Sequence, residues 1–197
     1  MSNSQLTEKA LADALKELMI TRPINKITVK EVTDVCGVTR RTFYNHFNDT
    51  YELLGWIYEH EVIDGLDKYY NLNEWREAMK IILQYTIENK EICINTFNSL
   101  VREYLEGFLY NIFSKGLKSI VNGITKDMNV DESIKEESIR FYTLAIVGEF
   151  ILWLKNDLKE SPDLILDRVD RMVKEPLYNI MKRNDKSRDL ISIKTAQ

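Results

Sequence analysis

Proline and glycine are both scarce, at 3 and 7 in 197 residues. A sheet protein with many tight turns needs more of each, so the shortage favours long, uninterrupted helices. Cysteine is scarcer still. Cys36 and Cys93 stand far apart with no C-x-x-C partner, which excludes a disulfide framework and a thiolate zinc site. Both read as reduced core residues on apolar helix faces. Histidine occurs only at positions 46 and 60. No cysteine or paired-carboxylate spacing accompanies either one, so no metal and no cofactor is expected. Nucleotide-binding glycine loops and nucleophile motifs are missing too, and the chain does not read as an enzyme. The longest apolar run, FYTLAIVGEFILWL at 141–154, is broken by Glu149 and too short to span a bilayer. A buried or interfacial helix suits it better than a membrane span. The opening MSNSQLTEKA is polar, so no export signal is expected; with the reduced cysteines this places the chain in the cytoplasm.

What is present is a core. Hydrophobic residues make up 44% of the chain and charged residues 29%, which rules out wholesale disorder. The length suits one domain, or a small domain followed by a larger one. The formal net charge of −4 hides an uneven distribution. Between 22 and 46, five cations (Arg22, Lys26, Lys30, Arg40, Arg41) face only Glu31 and Asp34. A small basic island on an acidic body directs a polyanion to one place.

Periodicity then divides the chain into helices. Residues 5–20 place Leu11, Leu15, Leu18 and Met19 on one face, and Pro23 prevents continuation. Thr28 with Glu31 forms a T-x-x-E capping box for a short second helix, its inner face Val29, Val32, Val35 and Cys36. Gly37 is placed to end it. Thr39 can cap a third helix over 40–47, and Asp49 with Glu52 starts a fourth over roughly 50–70. A polar break at 71–73 follows. Further helices are expected at 74–89, 91–99, 101–124, 134–157 and 162–182, with a kink at Pro176 and a frayed tail over 184–197. The expected fold class is therefore all-α. It has an N-terminal three-helix head over 1–50, and a connecting fourth helix begins a larger helical domain over 51–183.

The stretch GVTRRTFYNHF, 37–47, holds the chemistry. Two short helices joined by a glycine turn, the second rich in Arg, Thr, Tyr and Asn, describe a helix-turn-helix. Phe43 and Phe47 are spaced i,i+4 and can face the core. Arg40, Arg41, Tyr44 and Asn45 are left outside, with the helix's positive N-terminal end toward a duplex. An arginine fork matches guanine O6/N7, worth about 1–3 kcal/mol of base discrimination. Thr28 and Thr42 can donate to phosphates. The bland alternative is a basic helix that is only surface, as in a helical ligand- or protein-binding module without DNA binding.

The segment ITVKEVTDVCGVTRRTFYNHFNDTYELL, 27–54, resembles the DNA-binding signature of the TetR family of bacterial transcription regulators. The resemblance implies base contacts at Lys30, Arg40, Arg41 and Tyr44. It implies phosphate contacts at Thr28, Thr42, Tyr44, Asn45 and His46, and at Thr50, where the family usually has a lysine. It implies double-stranded operator DNA as partner, read by a homodimer on a pseudo-palindromic site. Most relatives repress and release on binding an effector. Two looser stretches, TFYNHFNDTYELLGWIYEHE and RFYTLAIVGEFILWLKNDLKESP, resemble the subgroup typified by regulators of dihydroxyacetone kinase operons. That subgroup includes an activator responding to a protein partner. The signal is thus an unidentified small molecule or a protein coregulator.

The second domain offers less. Its aromatics, among them Trp75, Tyr85, Phe97 and Phe141, are candidates for ordinary core or for an effector pocket; Tyr104, Phe108 and Tyr142 are the cluster favoured for the pocket. Ala145, Gly148 and Leu152 form an i, i+3, i+7 stripe of the kind that lets helices approach closely. It suits a dimer surface or packing within one subunit.

Overall fold

A computed structural model of the chain describes residues 2–99 and 102–187. Among these, all regular structure is helical, as the shortage of turn residues anticipated. The chain divides into two compact units, Met1–Gly65 with Tyr85–Leu105, and Leu66–Gln84 with Glu106–Gln197. No described helix is long and apolar enough to cross a membrane.

In the first unit, α1 (Asn3–Met19) starts at a capping box between Ser2 and Gln5, two residues before periodicity alone places it. Leu11, Leu15 and Met19 on its inner face are fully buried. Pro23 leads into a single 3₁₀ turn, Ile24–Lys26. Then come α2 (Val29–Cys36), α3 (Arg40–Tyr44) and α4 (Thr50–Tyr58). Asp49 caps α4 by accepting from the amides of Tyr51 and Glu52, while Glu52 accepts from the Asn48 amide at 2.6 Å. The unit is completed by the end of α5 (Trp75–Glu88), by α6 (Lys90–Phe97) and by the start of α7 (Arg102–Ile124). Polar links knit it together. Lys16 reaches both oxygens of Glu61 at 2.9 and 2.8 Å, and the Tyr85 hydroxyl donates to Glu61 at 3.0 Å. Asn95 donates to the Met19 carbonyl at 2.6 Å, and Tyr58 to Thr96 at 3.1 Å. Burial pushes the Tyr58 and Tyr85 hydroxyls well above the usual phenol range, so both stay protonated donors.

In the second unit, the rest of α5 and α7 joins α8 (Glu132–Lys155) and α9 (Pro162–Arg183). Arg76 of α5 holds Asp167 and Asp170 of α9 at 2.7 and 2.9 Å. Ser161 caps α9, with Pro162 at its first position. The Asp185 carboxylate accepts from the Asn129 N–H at 2.8 Å, and the Lys186 N–H donates to the Asn129 carbonyl at 3.0 Å. The remainder of the expected frayed tail, 188–197, and the first residue of the helix expected at 101–124 lie outside the described residues.

Several expectations are corrected. The third helix ends at Tyr44 rather than 47, because the His46 amide bonds to the Phe43 carbonyl three residues back and closes a tighter turn. The fourth ends at Tyr58, not near 70. It widens into a π turn, Glu59–Ile63, closed by Asp64 N–H on the Glu59 carbonyl, and Gly65 at φ 88° then breaks it. Val35 is exposed and Cys36 only half-buried, so the inner face of α2 is Val32 and Thr33. Cys93 is buried as expected, and burial pushes its thiol up to about 12. The last helix continues past Pro176 to Arg183.

Candidate nucleic-acid interface

Local bonds fix the α2–α3 corner. The Thr28 hydroxyl accepts the Glu31 amide at 3.3 Å. The Glu31 carboxylate takes both the Thr28 N–H and its hydroxyl proton at 2.8 Å. Arg22 lies 2.9 Å from the other Glu31 oxygen. These bonds, the Thr28 amide foremost, hold Glu31 below the usual glutamate range. Gly37 takes the left-handed conformation, φ 72°, that ends α2. Thr39 then caps α3, its hydroxyl receiving the Thr42 amide at 3.1 Å and lying 2.9 Å from the Thr42 hydroxyl. On the inner side Phe43 is fully buried and Phe47 nearly so, their rings 6.0 Å apart. The Trp56 edge of α4 meets Phe47 at 6.1 Å.

With α3 locked from within, its other face is presented outward. Arg40, Arg41, Tyr44 and Asn45 are exposed, Tyr44 by 57%. Neither arginine pairs with a carboxylate among the described residues. Two adjacent guanidinium forks with no internal partner are free to meet phosphate or a base edge. The other candidates are more engaged. Lys30 is exposed but lies 2.5 Å from Asp34, one turn on. Thr28 and Thr42 hold the caps just described. His46 is half-buried, its Nδ1 3.1 Å from Glu8 on α1, and the Ser4 hydroxyl donates to the same Glu8 oxygen at 3.0 Å. Thr50 is 6% exposed. With five residues α3 has little dipole of its own, so side chains rather than the helix end supply the positive charge.

Sequence reasoning missed the Glu8–His46 bond. The two residues stand 38 apart, and neither position signals the other. Exposed His60 also has contacts that sequence reasoning missed: it stacks on Trp56 at 4.1 Å, and its Nδ1 donates to the Trp56 carbonyl at 3.0 Å.

The effector-pocket candidates are divided between the two units. Tyr104 falls in the first unit, 69% exposed and stacked on Tyr51 of α4 at 6.3 Å. Phe108 is half-buried and Tyr142 buried in the second unit. None of the three lines that unit's apolar cavity, although Trp75 does. The small-residue stripe lies on the surface of α8. Ala145 and Gly148 are exposed, and Leu152 is half-exposed. Phe141, at 67%, and Leu144 extend the stripe, and α9 exposes Leu164 and Met172. Among the described residues no cluster of His, Cys, Asp and Glu is arranged to hold a metal ion.

Comparison with known proteins adds the family. Residues 11–55 match the family described as "Bacterial regulatory proteins, tetR family", and 73–175 match "Transcriptional regulator C-terminal region". The chain is 34% identical over 93 residues to the HTH-type dhaKLM operon transcriptional activator DhaS of Lactococcus lactis subsp. lactis (strain IL1403), covering 46% of this chain and 48% of that protein. It is 24% identical over 183 residues to the uncharacterized HTH-type transcriptional regulator YxbF of Bacillus subtilis (strain 168), covering 87% of this chain and 46% of that one. The chain thus spans about half the length of these curated relatives. Among solved structures it is similar to the dihydroxyacetone kinase operon activator DhaS, with a TM-score of 0.69 at 22% identity, over 91% of this chain and 98% of that one. A TetR transcriptional regulator from Streptococcus agalactiae 2603V follows, at 0.52 and 22%, over 86% and 94%. The two family matches fall in chain order on the helix-turn-helix and on the helical region after it, the second alone covering more than half of the chain, which therefore belongs to the TetR family of bacterial regulatory proteins.

Proposed function

We propose that the chain is a cytoplasmic transcription regulator, not an enzyme, that binds double-stranded operator DNA as a homodimer. Residues 1–50 act as the DNA-binding head, and residues 51–183 receive a signal and dimerise. Within the head, α3 enters the major groove. Arg40, Arg41, Tyr44 and Lys30 read base edges, Lys30 by releasing Asp34. Thr28, Thr42, Asn45 and His46 meet the phosphate backbone. Thr50 adds a hydroxyl to the same phosphate contacts but no charge. The observation that carries the reading is the pair of exposed, unpaired arginines on the outer face of a helix whose inner face is fixed by Phe43 and Phe47. The family match on the same residues supports it.

Dimerisation through α8 and α9 is supported by the exposed apolar stripe of Phe141, Leu144, Ala145, Gly148 and Leu152 beside Leu164 and Met172. A single head reads too few base pairs, so two-fold pairing yields a pseudo-palindromic operator. Most of the family represses. The similar protein DhaS, however, is named an activator, of the dhaKLM operon among the curated relatives and of a dihydroxyacetone kinase operon among the solved structures, and this favours activation of such an operon as the second reading.

The test is selection of bound DNA from a random pool by the full chain, then titration of the selected site. Arg40→Ala and Arg41→Ala each weaken binding by roughly 10- to 100-fold and relax base preference, as loss of about 1–3 kcal/mol requires. If both variants keep wild-type affinity and preference, α3 is not the reader.

A further inference from the structure

His46 sits in the turn that closes α3, next to the exposed Asn45. Its two ring nitrogens have different surroundings. Both bonds that the ring makes among the described residues are at Nδ1, to Glu8 of α1 at 3.1 Å and, longer, to Ser4 at 3.5 Å. The Ser4 hydroxyl also donates to the same Glu8 oxygen at 3.0 Å, which holds the carboxylate in place from its own helix. An ionised carboxylate has no hydrogen to give, so Nδ1 must carry one. The His46 and Glu8 side chains are only 16% and 23% exposed, and such a bond is stronger there than in open water. Nε2 bonds to nothing among the described residues, yet it is not buried. In a neutral imidazole with its hydrogen on Nδ1, Nε2 is an acceptor. Phosphate oxygens are acceptors as well. Held this way, His46 can bond to a phosphate only as the imidazolium, with hydrogens on both nitrogens.

We propose that Glu8 is a positioning residue for DNA binding: it fixes the hydrogen of neutral His46 on Nδ1, so that each head takes up one proton at Nε2 when His46 closes on a phosphate. The inference rests on the regulator reading above and on its phosphate contact at His46. The proton comes from solvent, and the Nδ1 hydrogen stays on Glu8. Histidine suits this coupling because its charge changes between about pH 5 and 8. The other charged groups around the pair are engaged elsewhere or do not bond to the ring. Glu8 shares a cleft with Lys9 and Asp13 of α1 and with His60, Glu61 and Asp64. Glu61 is taken by Lys16, and His60 donates to the Trp56 carbonyl. Arg40 and Arg41 of α3 are exposed, and Glu52 of α4 accepts the Asn48 amide.

The test titrates the duplex selected from the random pool with the full chain at fixed ionic strength, from about pH 5.5 to 8.5. Affinity falls as pH rises, by up to about tenfold per pH unit for each head, the slope that one linked proton gives. Calorimetry in phosphate and in Tris at one pH counts the proton, because the two buffers differ in their own heats of protonation. His46→Gln keeps an N–H for the phosphate but cannot titrate, and its profile loses this slope. Glu8→Gln removes the charge that fixes the tautomer, and its amide can donate to Nδ1. Neutral His46 then offers Nε2–H, and the profile flattens although the histidine is intact. A role of Glu8 in packing alone would lower affinity equally at every pH. His60→Gln keeps the wild-type slope. Ring nitrogen resonances of the DNA-free chain read the tautomer itself, with the hydrogen of neutral His46 on Nδ1. The proposal fails if wild-type affinity does not change with pH, if the slope survives in His46→Gln, or if Glu8→Gln keeps it in full. A hydrogen on Nε2 of neutral His46 in the wild type also overturns it. If no duplex binds at any pH, the regulator reading falls and takes the proton coupling with it, while the ring resonances still decide whether Glu8 holds the tautomer.

Discussion

Glu31 accepts three hydrogens while remaining at the surface, two from Thr28 and one from Arg22. Its carboxyl therefore ionises more readily in the folded chain than in the unfolded one. A group with a depressed folded pKa stabilises above its unfolded value, about 4.3 for glutamate, and loses that contribution as pH falls through the folded value. Urea midpoints of the wild type and of Glu31→Ala should differ at neutral pH and converge in acid below the ordinary glutamate range. A gap that persists unchanged to pH 3 would mean that the charge of Glu31 does not hold the α2 cap. The same residue shows what local sequence can reveal. Thr28, Glu31, Thr39 and Asp49 act within three residues of themselves, so each cap was legible in the string. The partner of His46 was not, because Glu8 on α1 reaches it only once the turn after α3 has packed against that helix.

Elements are decided by backbone geometry as well as by pattern, and two glycines separate these effects. Gly37 has a left-handed φ of 72°, Gly55 sits inside α4, and a Cβ at either would meet no atom within 4 Å. The same substitution therefore has opposite signs. Gly37→Ala should cost about 1–2 kcal/mol of stability, the left-handed penalty alone. Gly55→Ala should gain about 0.5–1 kcal/mol from helix propensity and chain entropy. Equal effects in denaturant titrations would refute the assignment of Gly37 as the turn residue. Element ends were the least legible feature for a related reason. Phe43 and Phe47 stay on one side whether the chain continues as α-helix or tightens after Tyr44, so their spacing does not reveal where α3 stops. In α8 a buried row and an exposed apolar row share one helix, and the pattern reads as apolar all round. Tyr104 and Phe108 lie one turn apart on α7 yet fall in different compact units.

At the scale of the whole molecule, the exposed row on α8 sets the prediction. Phe141, Leu144 and Leu152 are each at least half exposed along α8, and contiguous apolar patches mark association sites. Leu152→Glu should convert the proposed dimer into a monomer by light scattering at micromolar concentration and weaken operator binding accordingly. A variant that stays dimeric would place the interface elsewhere. The wide turn at Glu59–Ile63 acts on the same scale. A π turn is an ordinary helix carrying one surplus residue, so in descent it behaves as a single-codon insertion. Deleting one position there would restore regular winding, leave the residues beyond it in register and re-aim only the side chains within the turn. Glu61 would then swing away from Lys16 and Tyr85, which it now joins. A gap of one at this place in a relative therefore forecasts the loss of that three-way link before any of its coordinates are known.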